Sequence, residues 1–429
     1  MNNQNRNNLN SLTNLRNFFH TAKNGLHNAA TNPRKRNALA VLLLLAALLC
    51  AAIYWPRSIP TALYGFMFFF AIVTFLFFVP LCAAAVGYVP GAIEMQHDFA
   101  RVGFANSAGE SPYLIKKIIS ENNVIELTYY CTGFPLNMWI DKQIIIETAL
   151  NLLIASIHEG NDRRTFTLCC VRPGHAYEMM QWSDLFILRN NDNLLIVGRG
   201  LTGDNVIIDL NKTPHVLIGG NTGSGKTRLF CCILWQGIQQ SDIVYIADFK
   251  GGVDFGKLWH RFAHIITEEK PLLAQLDQLV DILEERKKLF VEADVSNIND
   301  YFKKTGNYLN RYIFACDEIG ELFDKTGADK ERKELLSQIE ARIATIARQG
   351  RAFGIHLILA TQRPDANVLP GQIKDNLTVR ICGRANPTLS TIILGDGRAA
   401  EQIPFDAQGR FIMSDGTVFQ SYYFDDSLI

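Results

Sequence analysis

Polar residues, many of them Asn, fill the first 37 positions, and then charge disappears. Ala38–Trp55 reads ALAVLLLLAALLCAAIYW, 18 residues without a charge. As a helix this run spans about 27 Å, close to the thickness of a bilayer's hydrocarbon core. PRSIP (56–60) breaks it, and a second uncharged stretch rich in Phe and Ala follows from Thr61 to Val89. The pattern predicts a transmembrane hairpin at 38–89, with spans at 38–55 and 62–84, and a linker at 90–111. Beyond it the periodicity shortens. A strand at 123–131, a helix at 141–157 and a strand at 164–171 predict a small α/β domain over 112–197. From 198 to 429, short apolar strands (215–218, 243–247, 311–316, 355–360, 378–382) alternate with helical patterns at 271–293, 331–350 and 387–394. That order predicts a parallel α/β sheet. Phe411–Met413 and Thr417–Tyr423 flank SDG and read as a closing hairpin.

Charge orients the hairpin. Arg34, Lys35 and Arg36 abut the first span, and positive residues stay inside. Both termini are then cytoplasmic in a multi-pass protein of the cell membrane. A cleaved signal peptide fits less well, because the basic segment is long and a second span follows at once. Residues 1–37 hold six basic residues and no acid, and the first 30 are expected to form a flexible or surface-bound tail. The whole chain balances 42 Lys+Arg against 42 Asp+Glu, so the body beyond residue 37 is net acidic. Nucleic acid would be gripped by a local patch. The composition, 48% hydrophobic and 20% charged, excludes a disordered chain. Nine cysteines, none spaced C-x-x-C, predict buried free thiols.

Chemistry enters at residues 214–230, PHVLIGGNTGSGKTRLF. An apolar strand runs into Gly220-Asn221-Thr222-Gly223-Ser224-Gly225-Lys226-Thr227, a full G-x-x-x-x-G-K-[ST], and a helix follows. The glycines let backbone N–H groups turn toward phosphates, and the helix N-terminus adds positive potential. Lys226 is expected on the β/γ-phosphates and Thr227 on Mg²⁺. RYIFACDE (311–318) is an apolar strand ending in two acids. Asp317 is expected to hold the Mg²⁺ shell, and Glu318 to act as general base on the attacking water. IHLILA (355–360) ends in Thr361-Gln362, and Gln362 emerges where a γ-phosphate or water would be sensed. The cofactors implied are ATP and Mg²⁺.

Several blocks together resemble the FtsK/SpoIIIE-type DNA-translocating ATPases, over roughly residues 195–425. They are GRGLTGDNVIIDLNKTPHVLIGGNTGSGKT (198–227), ADFKGG (247–252), EERKKLFVEADVSNINDY (284–301), ARIATIARQGRAFGIHLILATQRPDANVLPGQIKDNLTVRI (341–381) and STIILGDGRAAEQI (390–403). The resemblance implies a RecA-like P-loop NTPase motor (198–429) that assembles as a hexamer around DNA. A neighbour's arginine would complete each ATP site. Arg380 lies where that arginine is carried over, with Arg351 and Arg384 as rivals. The region before the motor resembles the family's small α/β lid domain.

Two spans, one motor and the absence of a long low-complexity linker resemble the coupling proteins of conjugative elements. The short sequence after ATQRP leads us to expect no winged-helix module. These features imply a membrane-anchored DNA translocase serving conjugative transfer, with a relaxase and transfer-channel proteins as partners. A chromosome-segregation translocase, a protein-secretion ATPase and a nucleotide-binding scaffold without turnover are the alternatives. Lys250, Lys257, Arg348, Arg351 and Lys374 are basic candidates for DNA contact, whereas the hairpin loop 413–418 carries no Lys or Arg.

Overall fold

The computed structural model describes residues 3–54, 63–120, 124–173, 179–188, 193–251, 254–363 and 370–428, with side chains from residue 14. The expected PRSIP break, Asn123, Gly252 and Pro364–Leu369 lie outside the described residues. The chain divides into two compact units, Met1–Ala176 and Tyr177–Ile429.

In the N-terminal unit, helices Pro33–Tyr54 and Tyr64–Gly87 are each long and apolar enough to cross a membrane. They carry outward-facing rings such as Phe66, Phe68 and Phe77, each at least 66% exposed. Among the described residues of the Asn-rich segment, expected to be a flexible or surface-bound tail, the backbone is helical over Asn3–Thr31. Asn is a poor helix former, so docking has to supply the stability. Small residues permit it: a Cβ at Gly25 would lie 1.8 Å from the Ala83 carbonyl oxygen. Buried Asn17 donates to Gln96 Oε1, and Asn24 donates to the Ile115 carbonyl at 2.6 Å.

The same unit holds a four-stranded antiparallel sheet in the order β1-β2-β4-β3. Its strands are β1 (Tyr113–Ile119), β2 (Ile125–Tyr130), β3 (Leu153–Glu159) and β4 (Thr165–Val171). The helix expected at 141–157 divides: Gln143–Leu150 is helical, Asn151 turns left-handed at φ 50°, and Leu153–Glu159 becomes β3. Asn tolerates that backbone region better than most residues, which ends the helix there.

The second unit carries a ten-stranded sheet in the order β6-β5-β14-β13-β12-β7-β11-β10-β8-β9. These are β5 (Leu194–Gly200), β6 (Asn205–Asp209), β7 (His215–Gly219), β8 (Ile243–Ala247), β9 (His264–Ile266), β10 (Tyr312–Cys316), β11 (Ile355–Thr361), β12 (Val379–Gly383), β13 (Arg410–Met413) and β14 (Val418–Ser421). The run from β12 to β9 is parallel, and the flank from β13 to β6 is antiparallel. Residues before 198, which the sequence groups with the small domain, thus supply β5 to this larger sheet. β7 and β11 are buried along their whole length, as strands covered on both faces must be. The two-residue period splits them between faces. Val216, Ile218, Ile358 and Ala360 pack beneath the helix Lys226–Gln239, whereas Leu217, Leu357 and Leu359 meet the helices Glu269–Glu292 and Lys330–Phe353. The helix Lys330–Phe353 starts on Asp329, whose side chain accepts from Arg332 N, and stops at left-handed Gly354.

Candidate nucleotide site

The glycine-rich segment joins β7 to the helix Lys226–Gln239. Gly223 and Gly225 hold φ of 76° and 96°, so side chains there would strain the backbone. Gly225 also needs its missing Cβ for space, because one would sit 3.0 Å from Gly409 Cα. Gly409 N donates to the Ser224 carbonyl, so the segment before β13 buttresses the loop.

Lys226 Nζ donates to Asp317 Oδ1 and to the Asp317 carbonyl, both at 2.8 Å, and the two side chains are almost wholly buried. Glu318, the next residue, is held from β11: Thr361 Oγ1 donates to Oε1 at 2.7 Å and Gln362 N donates to Oε2 at 3.0 Å. Gln362 Oε1 in turn accepts from Thr222 Oγ1 at 2.9 Å. The ends of β7, β10 and β11 therefore converge, and Gly220–Thr227, Asp317, Glu318 and Gln362 meet in one place. Each carboxylate oxygen of Glu318 keeps lone-pair capacity beyond the bond it accepts, as a base for water requires.

The donor set fits Mg²⁺. Asp317 Oδ1 is taken by Lys226, but Oδ2 is buried and accepts no hydrogen bond. A hard, oxygen-seeking cation would be held there by Asp317 together with the Thr227 hydroxyl. Bound, it would neutralise charge on the transferring phosphate oxygens.

Three arginines separate. Arg380 Nε donates to the Leu377 carbonyl at 3.1 Å and Nη2 to the Lys374 carbonyl at 2.9 Å, so its guanidinium is engaged beneath the sheet edge and does not join its own site. Arg384 reaches its own P-loop: Nη2 donates to the Thr222 carbonyl at 3.0 Å and Nη1 to the Phe405 carbonyl. Arg351 is exposed, on the helix end that precedes β11. It lines a cavity of about 570 Å³ with Arg311, Arg348, Lys303, Asn299 and His356, at the sheet edge opposite the P-loop.

Sequence reasoning placed Lys250 on a DNA surface, but it lies in the nucleotide site, its Nζ 3.6 Å from Asp317 Oδ2. Asp248 was also missed. The last paired residues of β8 and β10 are Ala247 and Cys316, so Asp248 and Asp317 leave adjacent strands at the same level. The available signal was the acid closing IVYIAD, one strand over from IFACD. Lys374, another DNA candidate, has its pKa pulled down by burial and then by Arg380. The described thiols are free; all but half-buried Cys169 are buried, and burial pushes Cys131, Cys170 and Cys382 up to about 12.

At the opposite end of the same strands, burial holds His215 down to about 3 and His356 down to about 4, from 6.5. Repulsion from His356 adds to the effect at His215. His215 Nδ1 accepts from Leu357 N, which requires the neutral ring. The unfolded chain takes up these protons near pH 6.5 and the folded chain does not until pH 4 or below. Stability therefore falls as pH drops below 6.5, by about 1.4 kcal/mol per pH unit for each histidine. Denaturant titrations between pH 7 and 5 should show this slope, and His356→Gln should roughly halve it.

Residues 178–345 match the FtsK/SpoIIIE family. The chain is similar to the solved pCW3 conjugation coupling protein TcpA, in a monomer form with ATPγS, at 37% identity and a TM-score of 0.58, over 79% of this chain and 96% of that one. It is 30% identical over 237 residues to the DNA translocase FtsK of Campylobacter jejuni subsp. jejuni, 53% of this chain and 24% of the relative. It is 32% identical over 218 residues to the DNA translocase SftA of Bacillus subtilis (strain 168), 48% of this chain and 22% of the relative. The chain spans about a quarter of the length of these curated relatives. A P-loop served by acids from the adjoining parallel strands and a relative matched over nearly its whole length agree: the chain belongs to the FtsK/SpoIIIE family.

Proposed function

We propose that the protein is a membrane-anchored, ATP-hydrolysing DNA translocase that acts as a coupling protein in conjugative transfer. The observation that carries this reading is the reach of the likeness to the coupling protein, 96% of that chain, against about a quarter of the DNA translocases FtsK and SftA. That reach takes in much more than the shared motor. Two apolar helices support an anchor in the cell membrane, with both termini cytoplasmic.

Lys226 and the P-loop bind the triphosphate. Thr227 and Asp317 hold Mg²⁺, and Glu318 takes a proton from the attacking water. Gln362 ties the tip of the P-loop to Glu318, so it is placed to report the γ-phosphate. Subunits assemble as a hexamer around DNA and hand it on from a relaxase to transfer-channel proteins. Arg351 is a better arginine than Arg380 to complete a neighbour's site. Its planar fork is exposed among other cations and far from its own P-loop, whereas Arg380 is spent on carbonyls of its own chain.

The test compares ATP hydrolysis by the full chain with and without DNA. Stimulation by DNA supports the reading. Indifference to DNA, with stimulation by a secreted protein, contradicts it.

A further inference from the structure

Lys250 is unexplained by the residues assigned so far. It follows β8, in a turn fixed by its own backbone N–H, which donates to Asp248 Oδ1 at 2.9 Å. That turn brings its ammonium 3.6 Å from Asp317 Oδ2 and 3.9 Å from Asp254 Oδ2. One buried carboxylate thus has a lysine on each oxygen, Lys226 on Oδ1 and Lys250 on Oδ2. The two contacts differ. Lys226 is almost wholly buried and makes a short hydrogen bond; Lys250 is about one-third exposed and makes a looser ion pair.

The oxygen of Asp317 that accepts no hydrogen bond is Oδ2, the one Lys250 faces. A divalent cation held at that oxygen would bring a second positive charge close to the Lys250 ammonium. Two positive charges at that range repel, and the longer, more exposed partner is the one able to move. We propose that Lys250 is a positioning residue that neutralises Asp317 until Mg²⁺ arrives and is expelled when it does. Metal loading is thereby linked to the ADFK turn after β8. The inference rests on the nucleotide-binding reading and is independent of DNA.

The experiment uses the full chain in detergent and a fluorescent ADP analogue, titrated with Mg²⁺. In Lys250→Met the Mg²⁺ concentration for half-maximal binding should fall by roughly three- to fivefold, the scale of one partly exposed like-charge contact removed. Lys250→Arg, which keeps the charge, should stay near wild type. Mass-spectrometric acylation of the unaltered protein gives a second readout: Lys250 should become more reactive with Mg²⁺ and ADP than with ADP and a chelator. An unchanged or raised Mg²⁺ requirement in Lys250→Met, or unchanged Lys250 reactivity in wild type, overturns the proposal. Failure of wild type to bind the analogue would instead count against the nucleotide site itself.

Discussion

Glu318→Gln should leave ATP binding intact and slow turnover by about a hundredfold to ten-thousandfold, the usual worth of a general base. The geometry makes this a clean substitution. Gln362 N already donates to one oxygen of Glu318, and a glutamine carbonyl can accept the same bond. The Thr361 hydroxyl donates to the other oxygen, and it can rotate to accept from the new amide. What disappears is the basic lone pair. Lys226→Ala is a different case, since it removes the ammonium from Asp317 and from the phosphates at once, and ATP binding itself should fail. Nucleotide binding measured beside single-turnover hydrolysis separates the two. Wild-type turnover in Glu318→Gln would remove Glu318 from the base role.

Arg351→Ala should cost about a thousandfold in turnover while ATP still binds, if this arginine stabilises charge on a neighbour's transferring phosphate. Among the described residues the Arg351 side chain makes one hydrogen bond, Nε to the Asn211 carbonyl at 3.1 Å, so its loss should scarcely affect folding. Mixing supplies the decisive control. An Arg351→Ala subunit keeps an intact P-loop, and a Lys226→Ala subunit keeps an intact Arg351. Mixed assemblies should recover part of the activity that each variant lacks alone. No recovery would mean that Arg351 acts elsewhere, and the same mixing with Arg380→Ala then becomes the next comparison.

The parts of this molecule that were legible in its sequence are those in which neighbouring residues carry the signal. Gly220–Thr227 is continuous, and its strand and helix lie on either side. Asp317, Glu318 and Gln362 each follow an apolar run long enough to read as a strand, and parallel strand ends share an edge. The less legible parts depend on contacts between distant residues. Nothing local in an Asn-rich segment announces a helix; Asn3–Thr31 is steadied where Gly25 meets Ala83 and Gly87. Ile-rich 153–157 fits either period, and Asn151 decides it by turning left-handed. Lys250 looked like a free cation because a sequence does not say which way the turn after Asp248 points. Arg380 stood at the expected position, but the carbonyls of Lys374 and Leu377 that engage it became visible only in three dimensions.

Movement along DNA driven by phosphate-bond energy at this P-loop is tested by ATP hydrolysis of the full chain in detergent, with and without DNA, over a range of salt. Hydrolysis should be stimulated severalfold by DNA at low salt, the stimulation should fade steeply as salt rises, as contacts to backbone phosphates do, and Glu318→Gln should show none. Equal hydrolysis rates with and without DNA at low salt, with no DNA retained by the protein, would contradict it.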